Sequence, residues 1–171
     1  MRAPLTLVVT ATILVGCASG ALAQNPAAAS SATPPVSNAV QILSTSRLAA
    51  LADSLPAGAI TAHQLTRFEG LSEMIARRDT SGVHERHEDF ADIFVVQRGR
   101  ARLLAGGTVE GERSTSEKGE WRGGTIRNGT DSEIKTGDIV VIPAGIPHQL
   151  LLTPKETFVY FVFKVAKPPA H

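Results

Sequence analysis

Apolar and polar positions along this chain follow three successive regimes. Leu5 to Val15 is almost uninterruptedly apolar, whereas residues 24–38, QNPAAASSATPPVSN, carry no charge and are rich in Ala, Ser and Pro. Such a stretch has nothing to bury and reads as a tether over residues 24–43. From Ser44 onward Leu48, Leu51, Ala52 and Leu55 recur at helical spacing. Ser44 or Thr45 can cap that helix, and Pro56 with Gly58 ends it, so one short helix is expected over 44–58.

Beyond residue 60 the period shortens. Leu71 to Ala76 and Phe94 to Leu104 are apolar and partly alternating, Ile139 to Ile142 is β-branched, and Thr157 to Val165 is rich in Val, Phe and Tyr. Gly106-Gly107, Gly123-Gly124, Asn128-Gly129 and Gly137-Asp138 punctuate them. Short strands closely spaced between turn residues predict an all-β sandwich or barrel. No internal repeat is visible, so one barrel is expected, over 61–166. The polar, glycine-rich stretch Gly106 to Thr136, which holds the one tryptophan, Trp121, reads as a long, partly hairpinned loop beside the barrel mouth. Asn128-Gly129-Thr130 fits a glycosylation acceptor, but Asn-Gly is first of all turn chemistry.

Length and composition sharpen this picture. The 171 residues hold one ordinary domain plus a targeting segment, and 43% hydrophobic content supplies a core without disulfides. Arg2 and the short apolar run after it form an export leader, with too few apolar residues to span a bilayer. Two exits from it compete. Ala21-Leu22-Ala23 before Gln24 suits ordinary cleavage, giving a signal peptide over 1–23. Leu14-Val15-Gly16-Cys17 resembles a bacterial lipobox, giving a lipoprotein leader over 1–16 and a lipid anchor at Cys17, the only cysteine. Both place the domain in the periplasm or cell envelope. Of 17 basic and 16 acidic residues, losing Arg2 leaves 16 of each, a balance that offers no footprint for nucleic acid.

The candidate chemistry lies in two short segments. His84 and His87 sit in VHERHEDFADIFVVQRG with Glu85, Glu88 and Asp92, and His148 ends GDIVVIPAGIPH. His63 stands alone in a polar stretch and reads as a surface side chain, and His171 is terminal. Strand alternation puts Glu85 and His87 on one face and His84 outside. Asp92 returns a carboxylate just before an apolar run. Ionised groups inside a barrel cost several kcal/mol each unless paired or bound to metal, roughly. On the residues alone, a solvated edge strand explains the same cluster.

These segments resemble the two motifs of the cupin family. Gly82, His87, Asp92 and Gly99 fall at first-motif positions, with Asp92 in place of the usual glutamate and Glu85 where the first histidine stands. Gly137, Pro143, Gly145 and His148 match the second motif at every spacing, and Leu152 replaces its terminal asparagine. The resemblance implies a single cupin, jelly-roll-like β-barrel holding one divalent transition metal (Mn, Fe, Zn, Ni or Co) through Glu85, His87, Asp92 and His148. Glu85 is then a fourth ligand or a catalytic base. A backbone bulge would instead turn His84 inward. The implied function is an exported, metal-dependent enzyme acting on a small oxygen-rich organic molecule, of the oxygenase, isomerase or lyase type. The alternative is a non-catalytic module that binds or senses a small ligand in the envelope. A homodimer is compatible with either. A third reading, a vestigial barrel, would have Phe94, Leu150 and Leu152 filling the space for substrate.

Overall fold

The computed structural model describes residues 36–168. The leader, Cys17, His171 and most of the Ala/Ser/Pro-rich tether lie outside them. Helix α1 spans Thr45–Ser54, with the Ser44 hydroxyl accepting from the Arg47 N–H at 3.2 Å as its cap. It is shorter than the expected 44–58: Leu55 is already extended ahead of Pro56. The end of the tether is not idle, because the Ser37 N–H donates to the Arg67 carbonyl and Leu43 packs with the helix.

The strands follow as β1 (Ile60–Phe68), β2 (Leu71–Arg78), β3 (Glu85–His87), β4 (Phe90–Arg98), β5 (Arg100–Ala105), β6 (Thr108–Glu110) and β7 (Arg113–Ser114). They continue as β8 (Glu120–Arg122), β9 (Thr125–Arg127), β10 (Thr130–Lys135), β11 (Ile139–Ile142), β12 (His148–Leu151) and β13 (Phe158–Ala166). One sheet has the order β1-β2-β13-β4-β11 and the other β10-β5-β12-β3-β8-β7, with β6 and β9 paired apart. Among the described residues this is the all-β cupin architecture with one short helix.

Alternation along the strands builds two cores. Ala76, Phe94, Val96, Tyr160 and Val162 point inward from the first sheet and meet Ala101, Leu103, Ile134 and Leu150 from the second. On the other face of the first sheet, Ile75, Val159 and Phe161 receive Ala52 of α1 and Leu55 just after it. The apolar run Phe94 to Leu104 is two strands and not one. Gly99 turns between them at φ 83°, and a Cβ there would strike the Thr157 carbonyl.

The stretch Gly106 to Thr136 is more ordered than a long loop. It contains β6 to β10, and β10 pairs with β5 along its whole length. Its strand character is hard to read from composition because only Ile134 of β10 is buried, so most of its side chains are polar and face water. Asn128 adopts φ 55°, as turn chemistry requires, but the turn it makes joins β9 to β10 in different sheets.

Candidate metal centre

Cross-strand register, more than the local sequence, assembles the polar groups inside the barrel. Glu85 of β3 lies directly opposite His148 of β12 on one side and Arg122 of β8 on the other. His87 lies opposite Glu120, and Asp92 of β4 opposite Lys164 of β13. The two motifs are also tied through the backbone. The Gly145 N–H, in the turn after Pro143, donates to the His87 carbonyl at 2.7 Å, which sets the turn that aims His148.

The result brings one ligand atom each from Glu85, His87 and His148 within 4.8 Å of one another. Both rings are oriented by their far nitrogens. His87 Nδ1 donates to the Glu120 carboxylate at 2.7 Å, and His148 Nδ1 donates to the Ile146 carbonyl at 3.1 Å. Both Nε2 atoms are therefore lone-pair donors facing the interior. His87 and His148 are each 3% exposed, and burial holds the His148 pKa below its ordinary value, keeping the ring in the neutral form that can ligate.

Asp92 stands beside this trio. Its Oδ2 is 3.2 Å from His87 Nε2 and 3.7 Å from His148 Nε2. Its Oδ1 accepts from Lys164 Nζ at 3.0 Å, and the same ammonium donates to His87 Nε2 at 2.9 Å. Burial alone would raise the Asp92 carboxyl, but the adjoining His87 ring and the Lys164 charge hold it down to about 2. Glu85 is treated similarly. Burial would raise it, yet the Arg78 and Arg122 charges outweigh that and its pKa lies below the usual range. Its Oε1 accepts from the Arg78 guanidinium at 2.7 Å, leaving Oε2 to face His87 Nε2 at 3.9 Å. Arg78 also donates to the Tyr160 hydroxyl at 2.7 Å, whose pKa burial raises to about 12.

The donor set of two neutral imidazoles and carboxylate oxygen, without thiolate, fits a first-row divalent ion. The Glu120–His87 contact is the outer hydrogen bond that such a ligand ordinarily carries. Above the set a cavity of about 270 Å³ stays open, lined by Arg78, Arg122 and Lys164 on its polar side and by Met74, Phe94 and Leu150 on its apolar side. Phe94 and Leu150 thus line the space without filling it, and Leu152 lies outside that lining. A vestigial, filled barrel is not what these side chains form.

Two expectations need amendment. His84 does point away from the trio, but it is 0% exposed and not on a wet surface. Strand β8 and its following loop cover it, with the His84 ring bonded to the Gly123 carbonyl at 2.7 Å. Trp121 is not in a loop: it lies in β8, stacks with Arg86 and donates to Glu88. Arg122 beside it does line the cavity, and Gln149 faces away from His148 to donate to the Gly82 carbonyl. His63 is exposed as expected. Sequence reasoning missed Glu120, Arg78, Tyr160 and Lys164. Lys164 had left a signal, a single charge inside the apolar run FVYFVFKV. Glu120 had left none, since nothing in EKGEWRGG distinguishes a buried acid.

A family model described as JmjC domain matches residues 55–169. No curated protein sequence matches this chain. Among solved structures, a conserved protein with a double-stranded β-helix domain from Klebsiella pneumoniae is 14% identical, covering 74% of this chain and 90% of its own, with TM-score 0.51. A cupin domain from Schizosaccharomyces pombe is 10% identical over 67% of this chain and 71% of its own, TM-score 0.50. A DMSP lyase from Ruegeria pomeroyi is 15% identical over 70% of this chain, which spans 56% of the lyase, TM-score 0.46. At these identities the likeness concerns the fold alone.

Proposed function

This chain belongs to the JmjC domain family, a cupin-like family, and from that premise we propose that it is an exported, metal-dependent enzyme acting on a small, oxygen-rich, anionic organic molecule. One observation carries the proposal: the Nδ1 atoms of His87 and His148 are both engaged by acceptors, which leaves each Nε2 lone pair inward, and one ligand atom each from His87, His148 and Glu85 lies within 4.8 Å of the others. Glu85, His87 and His148 would hold the ion, with Asp92 as the fourth ligand. A divalent transition ion in that place supplies Lewis-acid polarisation of an oxygen donor.

The chain's own residues account for the rest. Glu85 serves better as ligand than as base, because a carboxylate stabilised by two guanidinium groups has a low proton affinity. Arg122, half-buried at the cavity wall, and Lys164 can orient an anionic group. The Tyr160 hydroxyl, kept neutral by burial, contributes no charge. Arg78, Arg122 and Lys164 are balanced by Glu85, Asp92 and Glu120. A bound divalent cation therefore leaves the cavity positive, which selects anions. A volume of about 270 Å³ restricts them to small molecules.

Elemental analysis and metal titration of the purified protein test this reading. We expect about one ion per chain, a higher melting temperature when it is bound, and loss of both in His87→Ala and in His148→Ala. Unchanged metal content in both variants would refute the site. The position of Lys164 favours a second reading, a non-catalytic module that captures a small anion with the ammonium standing where the ion would. Metal-free protein that binds anions tightly would support it over the first. Export rests on the leader, and mature chains should begin at Gln24 or at a lipidated Cys17. A full-length chain in the cytoplasm would overturn that part.

A further inference from the structure

A second cavity lies on the opposite face of the five-stranded sheet, remote from the histidines. It measures about 400 Å³ and is lined by the apolar Leu43, Leu48, Val95, Phe161 and Phe163, with Gln41, Gln97 and Glu73 as its polar groups. Glu73 is in the middle of β2, directly opposite Phe163 of β13. It is 8% exposed, and its Oε2 is buried with no hydrogen-bond partner among the described residues. Burial raises its pKa. A carboxyl in such a place costs stability unless something pairs with it, and leucine would extend the apolar cluster around α1 without that cost. The barrel chemistry makes no use of it.

We propose that this cavity is a separate binding site for a small apolar molecule that ends in a protonated amine. The apolar side chains take the body of the ligand, and its ammonium donates to the Glu73 carboxylate. A cation is favoured over a neutral hydroxyl because it supplies the charge that lets the buried carboxyl ionise, together with several N–H donors. The volume falls within the range of small-molecule sites and suits a chain of several carbons. The site is independent of the metal reading.

Titrating the full chain with n-hexylammonium and, separately, with n-hexanol tests the assignment, followed by methyl resonances. Hexylammonium should shift the Leu43, Leu48 and Val95 methyls saturably, leave Met74 and Leu150 in the barrel unmoved, and bind at least tenfold more tightly than hexanol. Glu73→Gln should lose that tenfold preference while retaining the fold and melting at the same or a higher temperature. A bulky Leu48→Trp, which fills the cavity and keeps the carboxyl, should abolish binding of both probes. The proposal is overturned if no shift saturates, if the shifts fall on Met74 and Leu150, if hexanol binds equally well, or if Glu73→Gln keeps the preference.

Discussion

His84 and Glu85 are neighbours with opposite surroundings, and their substitutions should separate cleanly. Glu85→Gln removes a ligand charge and leaves Arg78 facing a neutral amide, so metal affinity should fall strongly. His84→Ala leaves the ion's surroundings intact but deletes a fully buried ring and its bond to Gly123. It should cost about 1–3 kcal/mol of stability, with metal content unchanged. Denaturant melts and metal titrations of the two variants decide the matter, and a metal loss confined to His84→Ala would invert the assignment. Glu120 offers a subtler test, because it touches His87 only at the far nitrogen. Glu120→Gln should lower metal affinity about 10–100-fold without altering the ligands themselves.

At the scale of elements, the segment from α1 into β1 is fastened to the barrel by Asp79. Its carboxylate accepts from the Gly58 N–H at 2.8 Å, from the Thr157 hydroxyl at 2.6 Å and from Arg77 at 3.0 Å. The Arg77 and Thr157 hydrogen bonds, followed by that from Gly58, hold its pKa down to about 2. An unfolded aspartate titrates near 3.9, roughly. A depressed folded value means that the stabilisation is complete above about pH 4 and is lost as pH falls through about 2. Asp79→Asn should therefore be less stable than wild type by about 1–2 kcal/mol at neutral pH. The gap should narrow below about pH 4 and close as pH falls through about 2. Denaturant midpoints from neutral pH to about pH 2 provide the check, and a gap undiminished at about pH 2 would show that the carboxylate charge is not what fastens the segment.

For the whole molecule, the charges inside the barrel make two binding events interdependent. With three cations balanced by three carboxylates, added positive charge should draw in an anion, and a bound anion should retain the metal. Linkage requires the two effects to be equal, and couplings of this kind span about 5–150-fold. Titrating malonate with and without metal, then metal with and without malonate, should return the same factor, greater than one. A factor of one would place the dianion outside the barrel.

The linear sequence determined what depends on local period and turn chemistry. Alternation along a strand placed Glu85 with His87 and set His84 opposite, and glycine and proline spacing marked the turn that aims His148. The shift from a helical to a two-residue period foretold one helix followed by a barrel. Tertiary structure decided what depends on register between strands remote in sequence. Lys164 meets Asp92 across 72 residues, and Glu120 meets His87 across 33. It also decided burial: His84 is sealed by β8 and the loop after it, and Glu73 is buried beside a cavity on the α1 face of its sheet, and neither cover is written near the residue it hides. A strand's own pattern specifies which side a residue takes, whereas only the assembled sheets specify what waits for it there.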